Sequence, residues 1–111
     1  MKLIIDITGK TFTVTKAAVE KREQSQNGRE GRQKTDRTTD ELLWTVQVMA
    51  LDVTGGEVIN VTLAGNAMPK VVVGAAVTPV ELEAMPWATN GKNGVAYRAK
   101  SLNQQAAGKA A

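Results

Sequence analysis

The chain reads as an all-β fold of about five strands, folded as a small barrel or sandwich. Apolar residues recur at period two, most clearly at Leu42, Trp44, Val46, Val48 and Ala50. Turn signals built from Gly, Asn and Asp punctuate the chain at intervals. No stretch shows the spacing of an amphipathic helix. A length of 111 residues and a hydrophobic content of 42% suit a single globular domain with a modest core.

Residues 3–19 are rich in Thr, Val and Ile. Their alternation at Phe12-Thr13-Val14-Thr15 predicts one or two strands, broken near Gly9 and Lys10. Residues 23–40, EQSQNGREGRQKTDRTTD, carry no apolar side chain, so no hydrophobic burial offsets the entropy of ordering them. They are expected to form a long, mobile basic loop or β-arm. Residues 42–53 are the clearest strand, with Thr45, Gln47, Met49 and Leu51 on the face opposite Trp44. Asp52-Val53-Thr54-Gly55-Gly56 then turns the chain into a strand over residues 57–63, completing a hairpin.

Residues 64–70, AGNAMPK, read as an irregular connection. Val71-Val72-Val73-Gly74 fits either a short strand or a turn of helix, and periodicity does not separate the two. Residues 77–87 predict a further strand, with Val80, Leu82 and Ala84 on one face and Glu81, Glu83 and Met85 on the other. Asn90-Gly91-Lys92-Asn93-Gly94 is a turn, because Asn and Gly tolerate positive φ. Residues 95–102 close the sheet, and residues 104–111 are expected as a frayed, disordered tail. The expected architecture is a small five-stranded barrel of oligonucleotide-binding (OB) type over residues 1–103, with long loops framing a ligand.

Composition narrows the chemistry. The chain has no His and no Cys, which removes thiolate metal sites, disulfides and triads built on histidine. Glu81 and Glu83 share a strand face but have no third ligand beside them, so they read as a solvated face rather than a metal or glycosidase pair. The glycines form no phosphate loop ending in Gly-Lys-Ser/Thr. The expectation is a binding protein without cofactor, metal or small-molecule substrate, and not an enzyme. The amino terminus, MKLIIDITGK, is too short and polar in its apolar run for a signal peptide, so a cytoplasmic protein without membrane contact is expected.

Net charge is +3, and its distribution says more than its size. Lys21, Arg22, Arg29, Arg32, Lys34 and Arg37 crowd into residues 21–37 against Glu23, Glu30 and Asp36. Residues 86–102, PWATNGKNGVAYRAKSL, add Lys92, Arg98 and Lys100 with no acid among them. An aromatic beside a turn, followed by cations on the returning strand, suits base stacking and phosphate contact.

Each of these residues has a plainer reading as well. Trp87 fits a base-stacking ring or a rim tryptophan equally, whereas Trp44 lies among core positions. Tyr97 is a further candidate for base stacking, but it shares its face with Val95 and Ala99, which favours the core with its hydroxyl at the rim. Arg98 and Lys100 share the opposite face, either as phosphate contacts or as a solvated strand surface, and the lack of neighbouring acids favours the former. The arm cations Arg29, Arg32, Lys34 and Arg37 either wrap a polyanion or solubilise a loop.

The run Val77-Thr78-Pro79, Leu82, Pro86-Trp87, Asn90-Gly91 and Gly94-Val95-Ala96-Tyr97-Arg98-Ala99 resembles small single-stranded-DNA-binding proteins of OB type from actinobacterial plasmids and integrative conjugative elements. The resemblance covers the last third of the chain, and elsewhere extends only to strand order. In topology and size alone the chain is also similar to the small dimeric single-stranded-DNA-binding proteins of filamentous phages. The resemblance implies DNA contacts at Trp87 and Arg98 and a role in replication or transfer of a mobile element. The leading expectation is therefore a largely sequence-neutral single-stranded-DNA-binding protein, dimeric because one small domain offers a short site. The alternative is a β-rich homodimeric interaction or assembly module that pairs through an edge strand without nucleic acid.

Overall fold

The computed structural model describes residues 3–22 and 31–104. Those residues are all-β, with eight strands and no helix. The strands are β1 (Leu3–Ile4), β2 (Thr11–Glu20), β3 (Leu43–Asp52), β4 (Gly55–Ala64), β5 (Ala76–Val80), β6 (Glu83–Thr89), β7 (Lys92–Arg98) and β8 (Ser101–Gln104). They form one curled sheet in the order β1-β6-β7-β4-β3-β2-β5-β8. It is a half-barrel rather than the five-stranded barrel expected from sequence.

The centre is a meander. β3 and β4 pair along their full length, from Leu43 with Ala64 to Asp52 with Gly55. The turn closes because the Asp52 carboxylate accepts the Thr54 N–H (2.8 Å) and Gly55 takes a φ of 134°. Trp44, Val46 and Val48 are buried opposite Leu63, Val61 and Ile59, as the period-two pattern requires. β2 pairs with the other side of β3, and its register shifts between Val14 and Lys16 and again before Val19. Such bulges bend and twist a strand, which starts the curl of the sheet. β5 returns to lie beside β2, giving the order β5-β2-β3-β4 of a Greek key.

The segment after β4 has a feature that alternation along one strand does not show. β5 with β8, and β6 with β7, are two ladders in one continuous register, from Val77 with Gln104 to Thr89 with Lys92. Glu81 and Leu82 interrupt one strand, and Ala99 and Lys100 interrupt the other. Leu82 and Ala99 are both buried there, and Glu81 takes a φ of 52°. Inward positions run Pro79, Leu82, Ala84 on one side and Leu102, Ala99, Tyr97 on the other, so the step across the kink is three residues instead of two. The backbone must bend for both sides of the kink to bury their apolar residues. One half of the bent hairpin then pairs with β2 and the other pairs in parallel with β4, so it spans both edges of the meander. Its inner face and that of the meander enclose a valine-rich core in which Val14, Val46, Val48 and Val61 are fully buried.

These kinks correct the expected elements. Residues 77–87 and 95–102, each expected as one strand, are each divided in two. Val71-Val72-Val73-Gly74 is neither strand nor helix but a turn fastened to β2, where Gly74 N–H donates to Val14 O (2.7 Å). Gln104, assigned to the tail, pairs with Val77, and residues 105–111 lie outside the described residues.

The basic segment is corrected in part. Residues 23–30 lie outside the described residues, while residues 31–40 are tied to the ends of β2 and β3. Lys34 N–H donates to Lys21 O (2.6 Å) and Leu43 N–H donates to Lys34 O (2.8 Å). Asp36 is buried and accepts the N–H groups of Thr38 (2.7 Å) and Thr39 (3.1 Å). Polar side-chain-to-backbone bonds hold this turn where apolar burial has no part.

Candidate nucleic-acid interface

Register sorts the β6–β7 hairpin into two faces. Lys92, Gly94, Ala96 and Arg98 share one, with Trp87, Met85 and Glu83 opposite the last three. Asn93, Val95 and Tyr97 share the other, and Tyr97 packs against the core there. Trp87, Lys92 and Arg98 thus lie on a common surface, with Lys92 and Arg98 separated by about 20 Å of strand. Trp87 is 46% exposed and lies against Gly94, where an added Cβ would stand 2.7 Å from a ring carbon. Gly94 therefore lets the indole lie flat across the neighbouring strand. In the parallel ladder Arg98 stands beside Thr62, so this surface continues onto the outward face of β4 and β3 at Thr62, Thr45, Asn60 and Gln47.

At the Arg98 end the surface opens into a cleft of about 880 Å³. Lys34, Arg37 and Glu41 line it from the connection between β2 and β3. Glu81, Glu83 and Lys100 line it from the kinked hairpin, and Lys21 and Arg98 from between. With Asp36, the lining holds five cations against four carboxylates. The cleft is thus close to charge balance, and its hydrogen-bonding groups matter more than its net field.

Asp36 organises one wall. Its carboxylate ion-pairs with the Arg98 guanidinium and is 7% exposed. Arg98 first, then the N–H groups of Thr38 and Thr39, hold its carboxyl at about 2, below the ordinary 3.8. Lys21 is half-buried, and its Nζ donates to Thr62 Oγ1 (3.1 Å). Burial and the nearby Lys34 charge push its pKa down. Lys100 and Glu81 lie 3.9 Å apart with both side chains mostly in water, a weak pair.

The structure brings Arg98, Lys100, Lys34 and Arg37 together in the cleft, and Trp87 and Lys92 onto the adjoining face. Arg32 is exposed outside the cleft lining, and Arg29 lies outside the described residues. The supposed lack of acids around Arg98 and Lys100 does not hold, because Asp36, Glu81 and Glu83 fold onto them from distant parts of the chain. Sequence reasoning missed the individual importance of Lys21, Asp36 and Thr62. Asp36-Arg37-Thr38-Thr39 has the signature of an Asx turn, the one local signal that could have marked Asp36.

Among the described residues, no group of three His, Asp or Glu side chains converges to hold a metal, and no helix is long and apolar enough to cross a membrane. The chain matches no family model, and no curated protein or solved structure shows significant similarity to it.

Proposed function

We propose that this protein binds single-stranded DNA, largely without regard to sequence, as an OB-like barrel protein. The observation that carries the reading is the single surface on which Lys92, Trp87 and Arg98 lie, continuous with the cationic groups of the cleft. A flat exposed ring gives bases a stacking platform, and cations on both sides of it follow the phosphate backbone. Stacking is open to every base, so the contact carries little sequence preference. The Greek-key order, with a kinked hairpin spanning both edges of the meander, supports the OB-like assignment. The outward β3–β4 face, the β2–β3 connection and the β6–β7 turn then occupy the places where OB barrels take oligonucleotides.

A role in replication or transfer of a plasmid or other mobile element is what the sequence resemblance implies. A homodimer extends the short site that one small domain offers. Titration of tryptophan fluorescence with matched single- and double-stranded oligonucleotides tests the reading. Single-strand binding that weakens as salt rises is expected. Equal affinity for the duplex, or no binding at low ionic strength, overturns it.

A further inference from the structure

Lys21 stands apart from the other described lysines. Its amine bonds the buried hydroxyl of Thr62 (3.1 Å). No carboxylate lies within ion-pairing distance of it among the described residues; Lys16, Lys34, Lys70 and Lys92 also lack one but are exposed, and the half-buried Lys10 has Asp52. Lys34 lines the same cleft, and burial together with that second cation favours the free amine of Lys21. Lys10 behaves oppositely, because it donates to the Asp52 carboxylate, which pushes its pKa up. A desolvated lysine beside another cation is the arrangement that makes a nucleophilic amine. The cleft, about 880 Å³, has room for a nucleotide-sized group. Arg37 and Lys100 on its rim suit the phosphates that flank such a group.

We propose that Lys21 is a Schiff-base-forming residue that captures the aldehyde of a ring-opened abasic sugar in a single strand. This rests on the nucleic-acid reading above. Nζ of the free amine adds to the aldehyde carbon. The carbonyl C–O bond breaks, the oxygen leaves as water with the two amine hydrogens, and a C=N bond remains. No oxidant or reductant takes part.

The full chain is incubated with a single-stranded oligonucleotide carrying one abasic site. Borohydride then reduces the imine to a stable amine, and the adduct is mapped by mass spectrometry. Adduct per bound strand is expected to concentrate at Lys21 and to vanish from that position in Lys21→Arg. Lys34→Gln, which leaves Lys21 in place but removes the neighbouring charge, is expected to slow trapping. Adducts spread over Lys34, Lys92 and Lys100, or no adduct where the intact strand binds, overturn the proposal. A parallel arm uses pyridoxal phosphate, a phosphate-bearing aldehyde, with the same reduction. If intact strands do not bind, labelling centred on Lys21 upholds its amine chemistry and places the failure with the nucleic-acid reading. Labelling without preference for Lys21 overturns both the chemistry and the proposal.

Discussion

Asp36→Asn separates two roles that meet at Arg98. The carboxylate accepts the N–H groups of Thr38 and Thr39 and pairs with the guanidinium. An amide keeps one acceptor oxygen for the turn and gives up the ion pair, so the local fold survives. The cleft lining changes from five cations against four carboxylates to five against three. A phosphate approaching Arg98 then meets one fewer negative charge, at a side chain that is 35% exposed. One like charge at contact distance in such a water-facing site is worth roughly fivefold in affinity. An additional phosphate taken up by the released Arg98 steepens the slope of log affinity against log salt by about 0.7 for a single strand. Fluorescence titration over a salt series reads both quantities, and thermal unfolding checks the fold. Weaker binding with an unchanged slope, in a variant that remains folded, would refute Arg98 as a phosphate contact. Arg98→Ala is a poorer probe, because it also strips Asp36 of its partner.

Trp87→Ala should weaken oligonucleotide binding by about 1–3 kcal/mol per stacked base and leave the far-ultraviolet circular dichroism unchanged. Gly94→Ala places a methyl 2.7 Å from the ring, so the indole emission should shift and binding should weaken less than in Trp87→Ala. Val46→Ala, at a site with no solvent exposure, should cost about 2 kcal/mol in denaturant unfolding. Acid stability should follow Asp36, whose folded pKa lies at about 2 against an ordinary 3.8. The unfolded chain binds the extra proton, so this contribution is complete above the ordinary value and is lost as pH falls through the folded one. Melting temperatures across the acid range should fall less steeply in Asp36→Asn than in the parent.

The β3–β4 hairpin was legible because its information is local. Alternation places Trp44, Val46 and Val48 on one face, and Asp52 and Gly55 supply the turn. The inward turn of Tyr97 followed from the same alternation, whereas Lys92, expected in a turn, opens β7 instead. The kinks were not legible. The three-residue steps from Pro79 to Leu82 and from Ala99 to Leu102 make sense only when one hairpin must serve two edges of a sheet. The basic segment was judged by its lack of apolar residues, and that test does not register a turn held by a buried carboxylate.

Sequence alone settles the all-β class, the central hairpin and the absence of histidine and cysteine chemistry, since these depend on composition and on neighbours a few residues apart. Tertiary structure decides which cations meet which acids. Arg98 and Asp36 are 62 residues apart, and only the parallel pairing of β7 with β4 and the folding of the β2–β3 connection bring them together. The same long-range closure buries Lys21 beside Thr62 and makes a cleft from charges that a linear reading scatters along the chain. Backbone periodicity is a local property, whereas desolvation and ion pairing depend on which distant segments the core draws together.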